Sequence, residues 1–152
     1  MTQKNFLFAA ALVCILAHLA LARTAPPAQP FQQTDRIAEQ AAYFGISTDA
    51  AVEVGREASE FTKQALAKPF TIYTRWRRAL GRSALWRYYA IIIAAEGKDL
   101  NELLVSAGLA RIYGTRTPLP DGRDSREYLA HLRELESEAK AAKRGAWGKV
   151  NP

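Results

Sequence analysis

The spacing of apolar positions changes along the chain, and each spacing predicts one kind of element. Between residues 48 and 67, apolar side chains recur every three or four positions, which predicts an amphipathic helix with Ser47 or Thr48 as its N-cap. The apolar stripe comprises Ala51, Val54, Ala58, Phe61 and Ala65. Residues 35–45 carry a shorter helical pattern that Gly45 can end. This part of the chain is therefore predicted to be helical.

Strand patterns follow these helices. Residues 70–76 and 85–95 are rich in β-branched and aromatic side chains, which predicts two strands, the second of them well buried. A basic loop, residues 77–83, separates the two strands. Residues 109–113 predict a third, short strand.

Two more helices are predicted around this third strand. The first covers residues 100–107, with Asp99 as its cap and Gly108 in the left-handed position just past its end. A long charged helix begins at Asp124 or Ser125.

The long helix is predicted to end at Gly145, with Trp147 folded back onto the core. The pattern as a whole predicts an α+β fold with a sheet of about three strands, flanking helices and a long C-terminal helix. A sheet this small leaves strand edges unpaired, and an unpaired edge invites pairing with a homo-oligomer or with another partner.

The first residues have the pattern of an export signal. Lys4 precedes an apolar run at residues 6–21, and small residues around position 22 suit cleavage, so residues 1–22 are predicted to be a signal peptide. An uncleaved membrane anchor and lipidation at Cys14 are the alternatives. We expect export to the periplasm or the medium, with no membrane contact after cleavage. Residues 23–34 are predicted to be a linker, which leaves residues 35–152 as one domain.

Cysteine and histidine usage excludes several kinds of site. Cys14 is the only cysteine and lies in the predicted signal, so the domain has no disulfide and no thiolate ligand. His131 is the only histidine after residue 22, which excludes a histidine pair. Residues 121–125 offer two carboxylates, and they are predicted to form a turn and helix cap rather than a Ca²⁺ site.

Cations and aromatic side chains alternate in one short part of the chain. The net formal charge is +6, and a basic excess favours polyanions such as nucleic acid. Arginines that follow phosphates and rings that stack on bases suit single strands. The predicted nucleic-acid-binding residues are Arg75, Trp76, Arg77, Arg78, Arg82, Trp86 and Tyr88. The alternative is a solvated basic loop beside core aromatics, and Tyr73 and Tyr89 are predicted to be core.

Several segments resemble one known family when they are taken in order. They are residues 55–63, residues 97–105 with 108–110, and residues 138–140 with 143–147. Together they resemble the C-terminal part of the staphylococcal nuclease (thermonuclease-like) family, over residues 41 to 147. The resemblance implies a five-stranded oligonucleotide-binding barrel, and Ca²⁺-dependent hydrolysis of phosphodiester bonds in DNA and RNA.

The chain departs from this family where the catalytic acids belong. The Asp-Gly-Asp and Asp-x-Pro-Glu motifs of the family are absent. If residues 35–45 align with the segment that follows the second motif, the resemblance implies that the first half of the barrel is missing. Residues 85–90 fit the pattern around one catalytic arginine at Arg87, Tyr89 and Ala90 and depart from it at Leu85 and Trp86. Arg87 is therefore the single catalytic candidate, with an exposed, non-catalytic arginine as the alternative. No metal ligand is assigned. Ca²⁺ is implied only if Asp35, Asp49 or Glu53 replaces the missing acids.

Three hypotheses about function stay open at this point. The chain is a catalytically impaired thermonuclease-like protein that binds nucleic acid or another polyanion, or an active Ca²⁺-dependent nuclease with replacement ligands, or a truncated gene product without a function. A homo-oligomer or a partner that completes the barrel is expected to cover the open sheet.

Overall fold

The computed structural model describes residues 30–78, 88–114 and 116–150. Within these residues the fold is α+β, as the sequence predicts. The elements are α1 (Pro30–Phe44), α2 (Thr48–Ala65), β1 (Thr71–Arg78), β2 (Tyr88–Ile93), a 3₁₀ turn (Ala95–Gly97), α3 (Leu100–Ser106), α4 (Ser125–Ala141) and a second 3₁₀ turn (Gly145–Gly148). Among the helices of this described part, none is long and apolar enough to cross a membrane.

Three helices begin at the N-caps that the sequence predicts. The Ser47 hydroxyl accepts a hydrogen bond from the backbone N–H of Ala50 at 3.1 Å and caps α2. The Asp99 carboxylate caps α3 and the Asp124 carboxylate caps α4, each by accepting the backbone N–H two residues further on. Each cap satisfies a donor that a helix start would otherwise leave without a partner.

The end of α3 is docked against the C-terminal 3₁₀ turn. Gly108 has a φ of 69°, and the N–H of Leu109 bonds the carbonyl of Leu104, which closes the helix as predicted. A Cβ at Gly108 would lie 2.2 Å from the carbonyl oxygen of Arg144, so no larger residue fits without a shift of backbone. The N–H of Ala146 donates to the carbonyl of Gly108 at 3.0 Å.

Strands β1 and β2 form an antiparallel pair, and their alternation separates two faces. Thr71 pairs with Ile93, and the register continues to Arg75 opposite Tyr89. We call the face with Ile72, Thr74, Ala90 and Ile92 the inner face, and the face with Tyr73, Arg75, Tyr89 and Ile91 the outer face. Beyond Arg75 the register shifts, because Arg78 pairs with Tyr88 and two residues of β1 bulge out.

The core consists of two clusters on opposite sides of this sheet. The inner face packs against α1, α2 and α3, with Ala90 and Ile92 buried beside Val54 and Leu104. On the outer face, Ile91 is buried with residues of α3, α4 and the loop before α4. The members of this second cluster are Ile91, Val105, Leu119, Tyr128 and Leu132. Trp147 packs against the first cluster, as predicted.

The predicted third strand is wrong. In the described residues the sheet has two strands, and residues 109–113 run beside α1 instead of joining it. The side chain of Arg111 bonds the carbonyl and the carboxylate of Glu39 on α1 at 3.4 and 3.2 Å. The apolar alternation of this segment serves packing, while its polar groups bond α1 rather than a strand.

Two element boundaries and the burial of one residue also differ from the predictions. Helix α1 begins at Pro30, inside the predicted linker 23–34, because proline is favoured in the first turn of a helix. Helix α4 ends at Ala141 rather than near Gly145, with Lys143 in the left-handed position at a φ of 51°. Tyr73 was predicted to be core, but 48 % of it is exposed. The homo-oligomer or barrel-completing partner stays a prediction.

Candidate nucleic-acid interface

A groove of about 480 Å³ lies on the outer face of the sheet. Its floor is the part of the sheet that carries Tyr73, Arg75 and Tyr89. Residues 117–120, which we call the groove wall, form its other side. The groove therefore combines aromatic and aliphatic surface with one arginine.

Strand geometry explains why Tyr73 and Arg75 meet in this groove. Residues two apart on a strand point to the same face, so both side chains project from the outer face of β1. Tyr73 is opposite Ile91, and Arg75 is opposite Tyr89. The Arg75 guanidinium reaches across the groove, where Nη1 donates to the Thr117 hydroxyl at 3.3 Å. Arg75 is exposed, so it can exchange this bond for one to a ligand.

The groove wall is fixed by its own turn. Leu119 is buried in the second cluster, with 7 % of it exposed. Its carbonyl accepts the N–H of Gly122 at 3.3 Å, which closes a turn directly after the wall. Pro118 and Pro120 flank Leu119 and restrict the backbone on both sides. The wall is therefore a short, anchored segment rather than a free loop.

A second, smaller chamber of about 50 Å³ adjoins the groove. The two chambers share five residues: Tyr89, Ala90, Ile91, Thr117 and Leu119. The smaller chamber adds Arg116, which is exposed, and Ser125 at the start of α4. Each chamber thus has an exposed arginine at its rim, which suits a polyanion that runs along both.

A buried polar network lies beneath the smaller chamber. The Tyr128 hydroxyl donates to Asp99 Oδ2 at 2.9 Å and accepts a hydrogen bond from Asn101 Nδ2 at 3.3 Å. Burial raises the pKa of the Asp99 carboxyl above its ordinary value, and the hydrogen bonds from Asn101 and Tyr128 and the charge of Arg123 offset this only in part. Burial and the neighbouring Asp99 also raise the pKa of Tyr128. This network joins α3 to α4 below the groove.

The structure places only part of the predicted binding set. Arg75 lies in the groove with Tyr73 and Tyr89. Tyr88, on β2, pairs with Arg78 beyond the bulge of β1 and is half-buried. Trp76, Arg77 and Arg78 belong to β1, with side chains outside the described part. Arg82, Trp86 and the catalytic candidate Arg87 also lie outside the described residues and stay predictions.

The sequence reasoning missed the groove wall and Arg116. The wall reaches the sheet through contacts between distant residues, such as Arg75 and Thr117, which are 42 positions apart. The one local signal was the pair Pro118 and Pro120, which indicates a restricted loop but does not show which face it covers.

The carboxylates of the described residues do not fit the Ca²⁺ that the family resemblance implies. Asp121 accepts two hydrogen bonds from Arg123, at 3.0 Å from N and 2.6 Å from Nε. Asp124 caps α4, as predicted, and Glu53 lies 3.6 Å from Lys149. Within the described part, no three acidic or histidine side chains converge on one point. Since Ca²⁺ requires six to eight oxygen ligands, these groups do not make a site for it.

Comparison with known proteins gives one positive finding. A family model described as staphylococcal nuclease homologue matches residues 24–149, which is far more than half of the chain. This match begins at residue 24, whereas the resemblance based on the motifs begins at residue 41. No protein with a curated description matches the sequence significantly.

Proposed function

Because the chain belongs to the staphylococcal nuclease homologue family, we propose that it is an exported protein that binds single-stranded nucleic acid in the groove and hydrolyses it weakly or not at all. The observation that carries this proposal is that Tyr73 and Arg75 lie side by side on the outer face of β1. A half-exposed ring there adjoins an exposed cation in the groove.

The chemistry of the groove suits an unpaired base and its phosphate. An exposed ring stacks on any base and contributes about 1–3 kcal/mol per base, so the Tyr73 ring supplies affinity without sequence preference. Arg75 can leave the Thr117 hydroxyl and bond a phosphate, which is a stronger, charge-assisted acceptor. The wall limits access from one side, so a base must already be unpaired to enter. A duplex keeps its bases stacked and paired and is expected to bind less well.

Weak or absent hydrolysis follows from the carboxylates. The acidic motifs of the family are missing from the sequence, and in the described residues Asp121 bonds Arg123, Glu53 lies near Lys149, and no three acidic side chains converge. Phosphoryl transfer depends almost wholly on positioning and electrostatic stabilisation. Loss of one such contact typically costs on the order of 10² to 10³ in rate, so loss of several leaves binding as the function.

Export rests on residues 1–22 alone. They lie outside the described residues, and their sequence pattern is the support for this part of the proposal. The test is cell fractionation with N-terminal sequencing, where a mature protein that starts near Arg23 in the exported fraction is the expected result.

A salt titration of binding tests the groove. The exported protein is titrated against a fluorescently labelled oligothymidylate at several salt concentrations, beside Arg75→Gln and a control, Arg56→Gln, which removes an exposed arginine from α2. We expect Arg75→Gln to weaken binding and to lower the salt slope by about 0.7, the value of one single-strand phosphate. Arg56→Gln should match the parent protein.

Two further measurements complete this test. The double variant with Arg77→Ala and Arg78→Ala should lower the salt slope further if the end of β1 also contacts phosphates of the nucleic acid.

Cleavage of denatured DNA and RNA is measured with Ca²⁺ and with chelator, for the parent protein and for Arg87→Ala. An unchanged slope for Arg75→Gln would remove the groove from the binding site, and Ca²⁺-dependent cleavage that Arg87→Ala abolishes would show a rebuilt catalytic site.

A further inference from the structure

We propose that Arg123 is a positioning residue, which holds the groove wall at the distance from the sheet that a base requires. This inference rests on the proposed binding function. Arg123 lines neither chamber of the groove, and its side chain points instead toward α3, α4 and its own turn.

Arg123 bonds three separate parts of the structure. Its Nε lies 2.6 Å from Asp121 Oδ2, and its backbone N–H donates to Asp121 Oδ1 at 3.0 Å, which fixes the turn after the wall. Its Nη1 lies 3.1 Å from Glu102 Oε1, which joins that turn to α3. Its guanidinium also lies 5.1 Å from the ring centre of Tyr128 on α4, within range of a cation–π contact.

These contacts determine where the wall lies. The wall ends at Pro120, and Asp121 follows it directly, so a turn held to α3 also holds the wall. At its other end, the wall is held by the Arg75–Thr117 bond, which a ligand phosphate would replace. During binding, the burial of Leu119 and the contacts of Arg123 are therefore the attachments that persist. The planar guanidinium can bond two carboxylates and stack on a ring together, which lysine cannot do.

Charge supports this arrangement. Hydrogen bonds from the backbone N–H and the side chain of Arg123 lower the pKa of Asp121, so the carboxylate is ionised over the range in which the protein would bind nucleic acid. Glu102 Oε1 also lies 4.0 Å from His131 Nε2, so this carboxylate contacts a residue of α4 as well as Arg123. The Arg123 side chain is 42 % exposed and the Glu102 side chain 26 %, so water partly screens this ion pair. Glu102 is fixed on α3, which anchors the pair.

The test compares four variants of the exported protein by the same oligothymidylate titration. They are Arg123→Gln, Arg123→Lys, Glu102→Gln and, as a matched control, Arg126→Gln, which removes an exposed arginine three residues further on. We expect Arg123→Gln to weaken binding about threefold to tenfold, the range of one or two partly exposed ion pairs. The salt slope should stay at the parent value, because no phosphate contact is lost.

The other variants separate positioning from a purely structural role. Glu102→Gln breaks the link to α3 without touching the turn, and it should also weaken binding with an unchanged slope. Arg123→Lys keeps the charge between Glu102 and Asp121 and should bind more tightly than Arg123→Gln. Amide hydrogen exchange of Gly122, whose N–H bonds Leu119, should become faster in Arg123→Gln, while exchange within α2 stays unchanged.

Three results would overturn the inference. A lower salt slope for Arg123→Gln would make Arg123 a phosphate contact, and affinity equal to that of Arg126→Gln would show that the wall needs no such support. Normal binding by Glu102→Gln would remove α3 from the arrangement. If the parent protein binds and Arg75→Gln weakens it, these results reject the role of Arg123 alone. If the parent protein does not bind at all, the proposed function fails together with it.

Discussion

The two faces of the sheet come from the same two strands and have opposite roles. On the inner face, Ile72 and Ile92 lie directly opposite each other and pack into the core formed with α1, α2 and α3. On the outer face, Tyr73 lies opposite Ile91, yet Ile91 is 9 % exposed and Tyr73 is 48 % exposed. The boundary between core and groove therefore runs through a single cross-strand pair.

This difference shows that the groove forms where helix packing stops. Residues of α3 and α4 cover Ile91 on β2, and the groove wall only approaches Tyr73 and Arg75 on β1. The alternation of the strands places aromatic and cationic residues on the same side as the buried isoleucines. An incompletely covered sheet thus forms the proposed binding surface without a separate element to build it.

Truncation of Ile92 should have the largest effect on stability. Ile92 is 7 % exposed in the inner core, and its change to alanine removes buried methyl groups and leaves a cavity. We expect Ile92→Ala to lower the free energy of unfolding by about 2–5 kcal/mol in urea titrations followed by circular dichroism. The matched change Thr74→Ala, on the same face but half-buried on β1, should cost much less. A small effect of Ile92→Ala would mean that the inner face is not the core.

Removal of the Tyr73 ring should affect binding rather than folding. Tyr73→Ala is expected to weaken binding of oligothymidylate by about 1–3 kcal/mol, the value of one base–aromatic stack. Its effect on unfolding should stay within about 0.5 kcal/mol, as for other surface changes. Tyr73→Phe keeps the ring and should bind like the parent. If Tyr73→Ala destabilises the fold as strongly as Ile92→Ala, the two faces do not differ in role.

The helix signals of the sequence were reliable because capping is local. Ser47, Asp99 and Asp124 each bond an N–H two or three residues away, so the spacing alone predicts the cap. Residues 109–113 show the opposite case. Their alternation is that of a strand, but Arg111 bonds Glu39, which is 72 positions away in the sequence. Nothing in the local pattern reports such a partner.

The candidate site was predictable only in part for the same reason. The alternation of β1 places Arg75 among aromatic residues, and this much follows from the sequence. The exposure of Tyr73 does not follow, because it depends on which face α4 leaves open. The wall and Arg123 depend on contacts across 42 and 21 residues, to Thr117 and Glu102, and a single sequence cannot give these.

The smallest expected effect concerns the polar network under the groove. Burial raises the pKa of Asp99 above 3.8, so the folded protein holds this proton more tightly than the unfolded chain does. The contribution of Asp99 to stability is therefore fully present below about pH 3.8 and declines as the pH rises through the raised value. Asp99→Asn has no such titration, because its side chain is neutral at every pH.

Urea unfolding of the parent and of Asp99→Asn over a pH series checks this sign. The difference in stability, parent minus variant, should fall as the pH rises from acid toward neutral, and then stay level. Asp121→Asn is the control with the opposite sign, because hydrogen bonds from Arg123 lower the pKa of Asp121 and its contribution is lost as the pH falls. Parallel stability curves for the parent and Asp99→Asn would show that Asp99 titrates normally, and that water reaches the network beneath the groove.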